Sequence, residues 1–184
     1  MKKYTAAFLI ALGLTTLPSA WADSYTFSVI PPSGDITGPP GSTIGWGYSI
    51  DNLSTNDWLV TTALNADPFL NVTPNSLFDF PDLPPLTTAT EAFDPIGGTG
   101  LYELTWDSTA PIGFTNLGVF TLSADFYSGD PTAGGSFVGS APDTTAGYSA
   151  TVVTPEPSTL IPLAVCSLLL MSLRRRTRQR NPLL

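Results

Sequence analysis

The sequence has no histidine and a single cysteine, and its cations are confined to the two ends. The seven basic residues are Lys2, Lys3, Arg174, Arg175, Arg176, Arg178 and Arg180, so positions 4–173 hold no Lys, Arg or His. Each absence removes a kind of chemistry. Without imidazole there is no Ser-His-Asp or Cys-His relay and no imidazole metal ligand. Without Lys or Arg in the body there is no Schiff base and no guanidinium clamp. Cys166 lies in a C-terminal apolar run, so the body has neither a thiol nucleophile nor a disulfide. Structural zinc loses its usual ligands as well. Fourteen of the fifteen acidic residues fall within 23–153, which therefore carries a formal charge of −14 at neutral pH. Such a surface repels phosphate backbones, and nucleic acid is excluded as a partner.

What the ends do contain is patterned. Lys2 and Lys3 precede a small and apolar run, Ala6 to Leu14, and Leu17-Pro18-Ser19 leads into Ala20-Trp21-Ala22. A cationic start, an apolar core and small residues at −3 and −1 are the parts of a secretory signal. Residues 1–22 are expected to be a signal helix cleaved after Ala22, with Asp23 as the first mature residue.

At the other end, Thr154-Pro155-Glu156-Pro157-Ser158-Thr159 is followed by an apolar run, Leu160 to Leu173, and then by Arg174-Arg175-Arg176-Thr177-Arg178-Gln179-Arg180. As a helix the run spans roughly 21–24 Å if Ser158 and Thr159 are allowed for. That is short of the roughly 30 Å hydrocarbon core, so length alone does not separate a buried helix from a membrane segment. The flanks do. Arginines directly after an apolar helix favour the cytoplasmic side, and Arg174 can snorkel to the head groups. A transmembrane segment over about residues 158–173 is expected, with a stop-transfer cluster behind it. Pro155 and Pro157 lack backbone donors and resist helix formation, which keeps the preceding motif extended outside the bilayer.

The Pro155-Glu156-Pro157 motif, the short apolar helix and the arginine-rich end together resemble the PEP-CTERM sorting signal of Gram-negative, biofilm-forming bacteria. The resemblance covers about 30 residues at the C-terminus, residues 154–184. It implies an exosortase, a membrane-embedded cysteine protease that recognises Pro155, Glu156 and Pro157 and removes the helix and tail. The competing reading is a permanent type I anchor.

Between the two ends the apolar period is two. Tyr25, Phe27 and Val29 alternate with polar neighbours. Ile44, Trp46, Tyr48 and Ile50 share a face, as do Tyr102, Leu104 and Trp106; Phe120, Leu122, Ala124 and Phe126; and Tyr148, Ala150 and Val152. Trp58, Val60 and Leu64 make a further stripe, and 87–93 is a weaker strand candidate. Turn signals such as Pro39-Pro40-Gly41, Pro81 to Pro85 and Gly97 to Gly100 separate the runs. The pattern predicts an all-β domain over 23–153, an antiparallel β-sandwich of immunoglobulin-like architecture. The stretch from Gly129 to Gly147, rich in Gly, Ser, Ala and Pro, reads as a long, poorly ordered loop.

Carboxylates and hydroxyls are the only abundant reactive groups in the body. Asp79 and Asp82, Glu91 and Asp94, and Glu103 and Asp107 are neighbours in sequence, and a glycosidase needs two carboxyls across a cleft; solvated turn carboxylates are the plainer reading. Loops 79–82 and 125–130 offer hard oxygens of the kind calcium takes, without any recognisable ligand spacing. No other cofactor or metal site is expected. Trp46, Trp58 and Trp106 would stack on sugar rings if exposed, but their place on strand stripes assigns them to the core. Asn52-Leu53-Ser54 and Asn71-Val72-Thr73 match the glycosylation sequon by chance, and Thr144, Thr145, Ser149, Thr151 and Thr154 are candidates for O-linked sugar. These readings converge on a non-enzymatic, exported surface or matrix protein associated with exopolysaccharide. Signal peptidase and exosortase are its expected processing partners, and the membrane is a transient anchor. A carbohydrate-binding module is the alternative, and a carboxylate-dependent hydrolase a distant third.

Overall fold

The computed structural model describes residues 24–154. The signal segment 1–22, its cleavage residues Ala20, Ala22 and Asp23, the motif Pro155 to Pro157, the apolar run and the arginine tail lie outside the described residues. Within them the chain forms eleven strands: β1 (Tyr25–Ile30), β2 (Asp35–Gly38), β3 (Thr43–Asn52), β4 (Trp58–Ala66), β5 (Val72–Ser76), β6 (Asp82–Leu83), β7 (Thr88–Glu91), β8 (Tyr102–Trp106), β9 (Thr115–Tyr127), β10 (Phe137–Ser140) and β11 (Thr144–Val152). One 3-10 turn, Pro131–Ala133, is the only helical element among the described residues. None of their helices is long and apolar enough to cross a membrane. The domain is all-β, as the period of two predicts.

The strands form two sheets. One has the order β1-β3-β8-β5, with β7 also on β3; the other has the order β2-β11-β9-β4-β6, with β10 also on β9. The longest strands each serve several neighbours. In β3, Thr43–Trp46 pairs with β8, and the second half pairs with β1 and β7. In β9, residues 115–122 pair with β11, residues 125–127 with β10, and β4 runs along residues 120–127.

The expectation of a purely antiparallel sandwich needs one correction, because β2 runs parallel to β11. The link after β1 carries Pro31 and Pro32, which cannot donate to the β1–β3 ladder. The chain therefore crosses to the second sheet without reversing. Gly34 makes the crossing possible. Its φ is 74°, and a Cβ there would overlap the Gly147 carbonyl.

The alternating stripes of β1, β3, β8, β9 and β11 are the core. Trp46, Ile50, Leu104, Phe120, Leu122 and Ala150 are fully buried, and Phe27, Tyr48, Trp106 and Val152 nearly so. Trp46 of the first sheet meets Phe120 and Tyr148 of the second at ring-centroid distances of 5.2 and 5.3 Å. Its Nε1–H donates to the Gly34 carbonyl at 2.8 Å. Tyr25 likewise donates from β1 to the Leu122 carbonyl in β9 at 2.6 Å. Both bonds spare a buried donor the roughly 1–3 kcal/mol cost of going unpaired, whereas the indole N–H of Trp106, also buried, has no hydrogen-bond partner.

Two further expectations are overturned. The Trp58, Val60 and Leu64 stripe does not exist as one face. Leu59 and Thr61 point into the core, and Trp58 and Val60 take the opposite, partly exposed side. A bulge between Thr61 and Ala63 inserts one residue and returns Leu64 to the core side. The stretch from Gly129 to Gly147 is also not a disordered loop. It holds the 3-10 turn, all of β10 and the start of β11. Asp130 caps the turn, accepting from the Thr132 backbone N–H at 2.8 Å and the Thr132 hydroxyl at 2.6 Å.

Asn52 shows how polar groups are accommodated inside this cation-free domain. It is 1% exposed. Its Nδ2 donates to the carbonyls of Asp57, Leu83 and Pro84 at 2.9, 3.0 and 3.1 Å, and its Oδ1 accepts from the Ser54 N–H at 3.0 Å. An amide so engaged is a clamp between two loops and not a glycan acceptor. Replacing it orphans several buried groups at once, so Asn52→Ala is expected to lower stability by about 1–3 kcal/mol. Urea unfolding of the wild type and variant measures this, and a change below about 0.5 kcal/mol would contradict the clamp.

Candidate functional site

The carboxylates that are neighbours in sequence take separate local partners, and Asp79 and Glu91 both act on Tyr48. Asp79 accepts a hydrogen bond from the Tyr48 hydroxyl at 2.5 Å, and Asp82 lies exposed on β6. Burial, then the bond to Asp79, raises the Tyr48 phenol above its ordinary range. Glu91 ends β7, whereas Asp94 closes the following turn by accepting from the Ile96 N–H at 2.9 Å. Backbone N–H groups of Gly97 and Ile96 hold Asp94 below the usual carboxylate range. Glu103 sits in mid β8 opposite Gly45 and Asn75, and Asp107 follows that strand on the surface.

The same use of carboxylates recurs elsewhere. Asp51, in mid β3, accepts from Thr88 of β7 at 2.6 Å and from Thr26 of β1 at 2.8 Å. Those hydroxyls, Thr88 before Thr26, lower its pKa. Asp67 accepts from the Val119 N–H at 2.9 Å. In a body without cations, hydroxyls and backbone amides take the place of ion-pair partners. Among the described residues no three acidic side chains gather to hold a metal ion. Loops 79–82 and 125–130 thus carry separate carboxylates, with Asp125 on a strand and Asp130 capping a turn.

The tryptophans divide. Trp46 is 0% and Trp106 1% exposed, so both are core. Trp58 is different. Because Leu59 faces inward, Trp58 faces out, and in β9 the matching outward residue is Tyr127, directly opposite it. On the other side of Tyr127 stands Phe137 of β10. Three aromatics thus lie in register across three neighbouring strands on the outer face of the second sheet. The Tyr127 and Phe137 rings are 5.8 Å apart, edge to face at 78°. Phe137 is 58% exposed and Val138 beside it 52%. The next row inward along the strands is Val60, Asp125 and Ser140.

The hairpin between β9 and β10 fixes the edge of this row. The Ser128 N–H donates to the Ser136 carbonyl at 2.9 Å, and the Gly135 N–H to the Asp130 carbonyl at 2.8 Å. The Asp130 cap, held by the Thr132 hydroxyl first, keeps that carboxylate ionised below its ordinary range. Sequence reasoning missed Tyr127 and Phe137. Tyr127 was legible, since it follows Phe126 and alternation places it on the solvent side. Phe137 was hidden inside a Gly- and Ser-rich stretch.

Sheets, core and aromatic row define an all-β domain of two sheets. No family model, curated protein or solved structure matches the chain.

A body with this charge is stabilised by any salt that screens its self-repulsion. Calcium and magnesium chloride at equal millimolar concentration are expected to raise the thermal unfolding midpoint by the same amount. A rise specific to calcium would instead reveal a calcium site.

Proposed function

We propose that this chain is an exported, exosortase-processed, non-enzymatic protein of a Gram-negative cell surface or extracellular matrix, where it associates with exopolysaccharide. The observation that carries the reading is the C-terminal order of Pro155-Glu156-Pro157, apolar run and arginine cluster. The signal-like start at Met1 to Ala22 supports it independently. In this reading signal peptidase cuts before Asp23, the segment 158–173 holds the precursor in the inner membrane, and exosortase removes it.

The body is proposed to be immunoglobulin-like, and its strand order supports this. Taken in chain order, β1, β3, β4, β5, β8, β9 and β11 correspond to strands A to G. The sheet orders β1-β3-β8-β5 and β11-β9-β4 then match the A-B-E-D and G-F-C arrangement of that fold. In this scheme β2 is the continuation of the first strand into the second sheet, and β6 and β7 are additions between D and E. Such a domain presents rigid faces for binding without requiring catalytic groups.

A net negative body suits a hydrated matrix, because it resists self-association. Intact-mass spectrometry of the protein recovered from its native host tests the processing. The expected species begins at Asp23 and lacks the apolar run and arginine tail, and Glu156→Gln is expected to accumulate the uncut precursor. A native species retaining Lys2, Lys3 and the arginine tail would overturn the reading.

A further inference from the structure

We infer that Trp58, Tyr127 and Phe137 form a binding platform for an extended, neutral polysaccharide chain. Neighbouring strands lie about 4.8 Å apart, so the row spans roughly 10 Å between its outer members. It crosses β4, β9 and β10 in register, so it is a strip and not a scattered set. A strip on an open sheet face suits a linear chain, whereas a small molecule needs a concavity to bury most of its surface.

The chemistry of the neighbours points the same way. Aromatic rings offer apolar faces to the C–H faces of sugar rings. Beside them the row of Asp125 and Ser140, followed by Ser123 of β9, supplies acceptors and hydroxyls that sugar hydroxyls can meet. The aromatic members sit on paired strands, and the hairpin bonds from Ser128 to Ser136 and within the Asp130 turn hold Phe137 in place. Little conformational freedom is therefore lost on binding.

Charge selects among occupants. The span 23–153 bears fourteen carboxylates and no cation. An acidic polysaccharide or a nucleic acid is repelled from it. A second copy of the chain would bring an equal negative charge, with Asp125 from each copy beside the same row. A neutral glycan pays no such cost.

This inference rests on the proposed non-enzymatic role only in that the sugar is held and not cut. The sorting of the chain is tested separately by mass, so either idea can fail alone. The test is isothermal titration of the full chain, in a detergent without sugar head groups, with cellohexaose, laminarihexaose, mannohexaose and maltohexaose, and with oligogalacturonate as the acidic control. At least one neutral hexaose is expected to bind and oligogalacturonate not to bind. Phe137→Ala is expected to weaken binding about tenfold, the scale of one aromatic contact, with the unfolding midpoint unchanged. Phe137→Tyr keeps the affinity, and Trp58→Ala lowers it. The inference is overturned if none of the neutral hexaoses binds, or if Phe137→Ala leaves the affinity unchanged. It is also overturned if sedimentation shows a dimer that Phe137→Ala dissociates, which would make a second copy the occupant.

Discussion

Trp46 holds the two sheets together. It belongs to β3, the strand that joins β1, β7 and β8, and its ring packs on Phe120 and Tyr148 from β9 and β11. Its indole N–H also ties down the Gly34 carbonyl, where the chain crosses from one sheet to the other. One side chain therefore fixes the distance between the sheets and the path between their first strands. With no disulfide and no cation in the body, burial of such aromatics is the main cohesive force. Removing a large buried aromatic typically costs about 3–5 kcal/mol, much of the total margin of a small domain.

The lack of cations shapes everything outside the core. Carboxylates elsewhere answered by lysine or arginine are answered here by threonine and tyrosine hydroxyls and by turn amides, as at Asp51, Asp79, Asp94 and Asp130. These bonds order strands and turns without neutralising the field. The domain therefore combines an aromatic interior with a strongly anionic exterior, and the aromatic row on the outer face stands out against that background.

Much of the fold was legible because the core strands are long and obey a period of two. Tyr25 to Val29, Trp46 to Ile50, Phe120 to Phe126 and Tyr148 to Val152 each bury the alternate residues that their sequence marks, and Ile44 is half-buried at the start of its strand. The strands that escaped notice are those whose environment leaves no such mark. β5 lies at an edge, is mostly exposed and contains Pro74, and β6 has two residues. β10 is exposed on an edge, contains Gly139 and follows Gly134 and Gly135, so composition disguised it as a loop. The facing of Trp58 was unreadable for a different reason. A bulge changes the parity of β4 between Val60 and Leu64, and an inserted residue leaves no signature in composition. The candidate site was hidden by both effects, its tryptophan counted with the core and its Phe137 set in a stretch that composition marks as a loop. Asn52 is the reverse case, a residue that matched a surface motif and proved to be an interior clamp.

Trp46 and Trp106 lie between the sheets, whereas Trp58 and Phe137 face outward. Hydroxyl-radical footprinting of the intact chain with residue-level mass spectrometry reads this directly. The structure predicts rapid oxidation of Phe137 and Trp58, with Trp46 and Trp106 protected until the domain unfolds. Oxidation of Trp46 in the native state as fast as that of Trp58 would contradict both the core and the aromatic row.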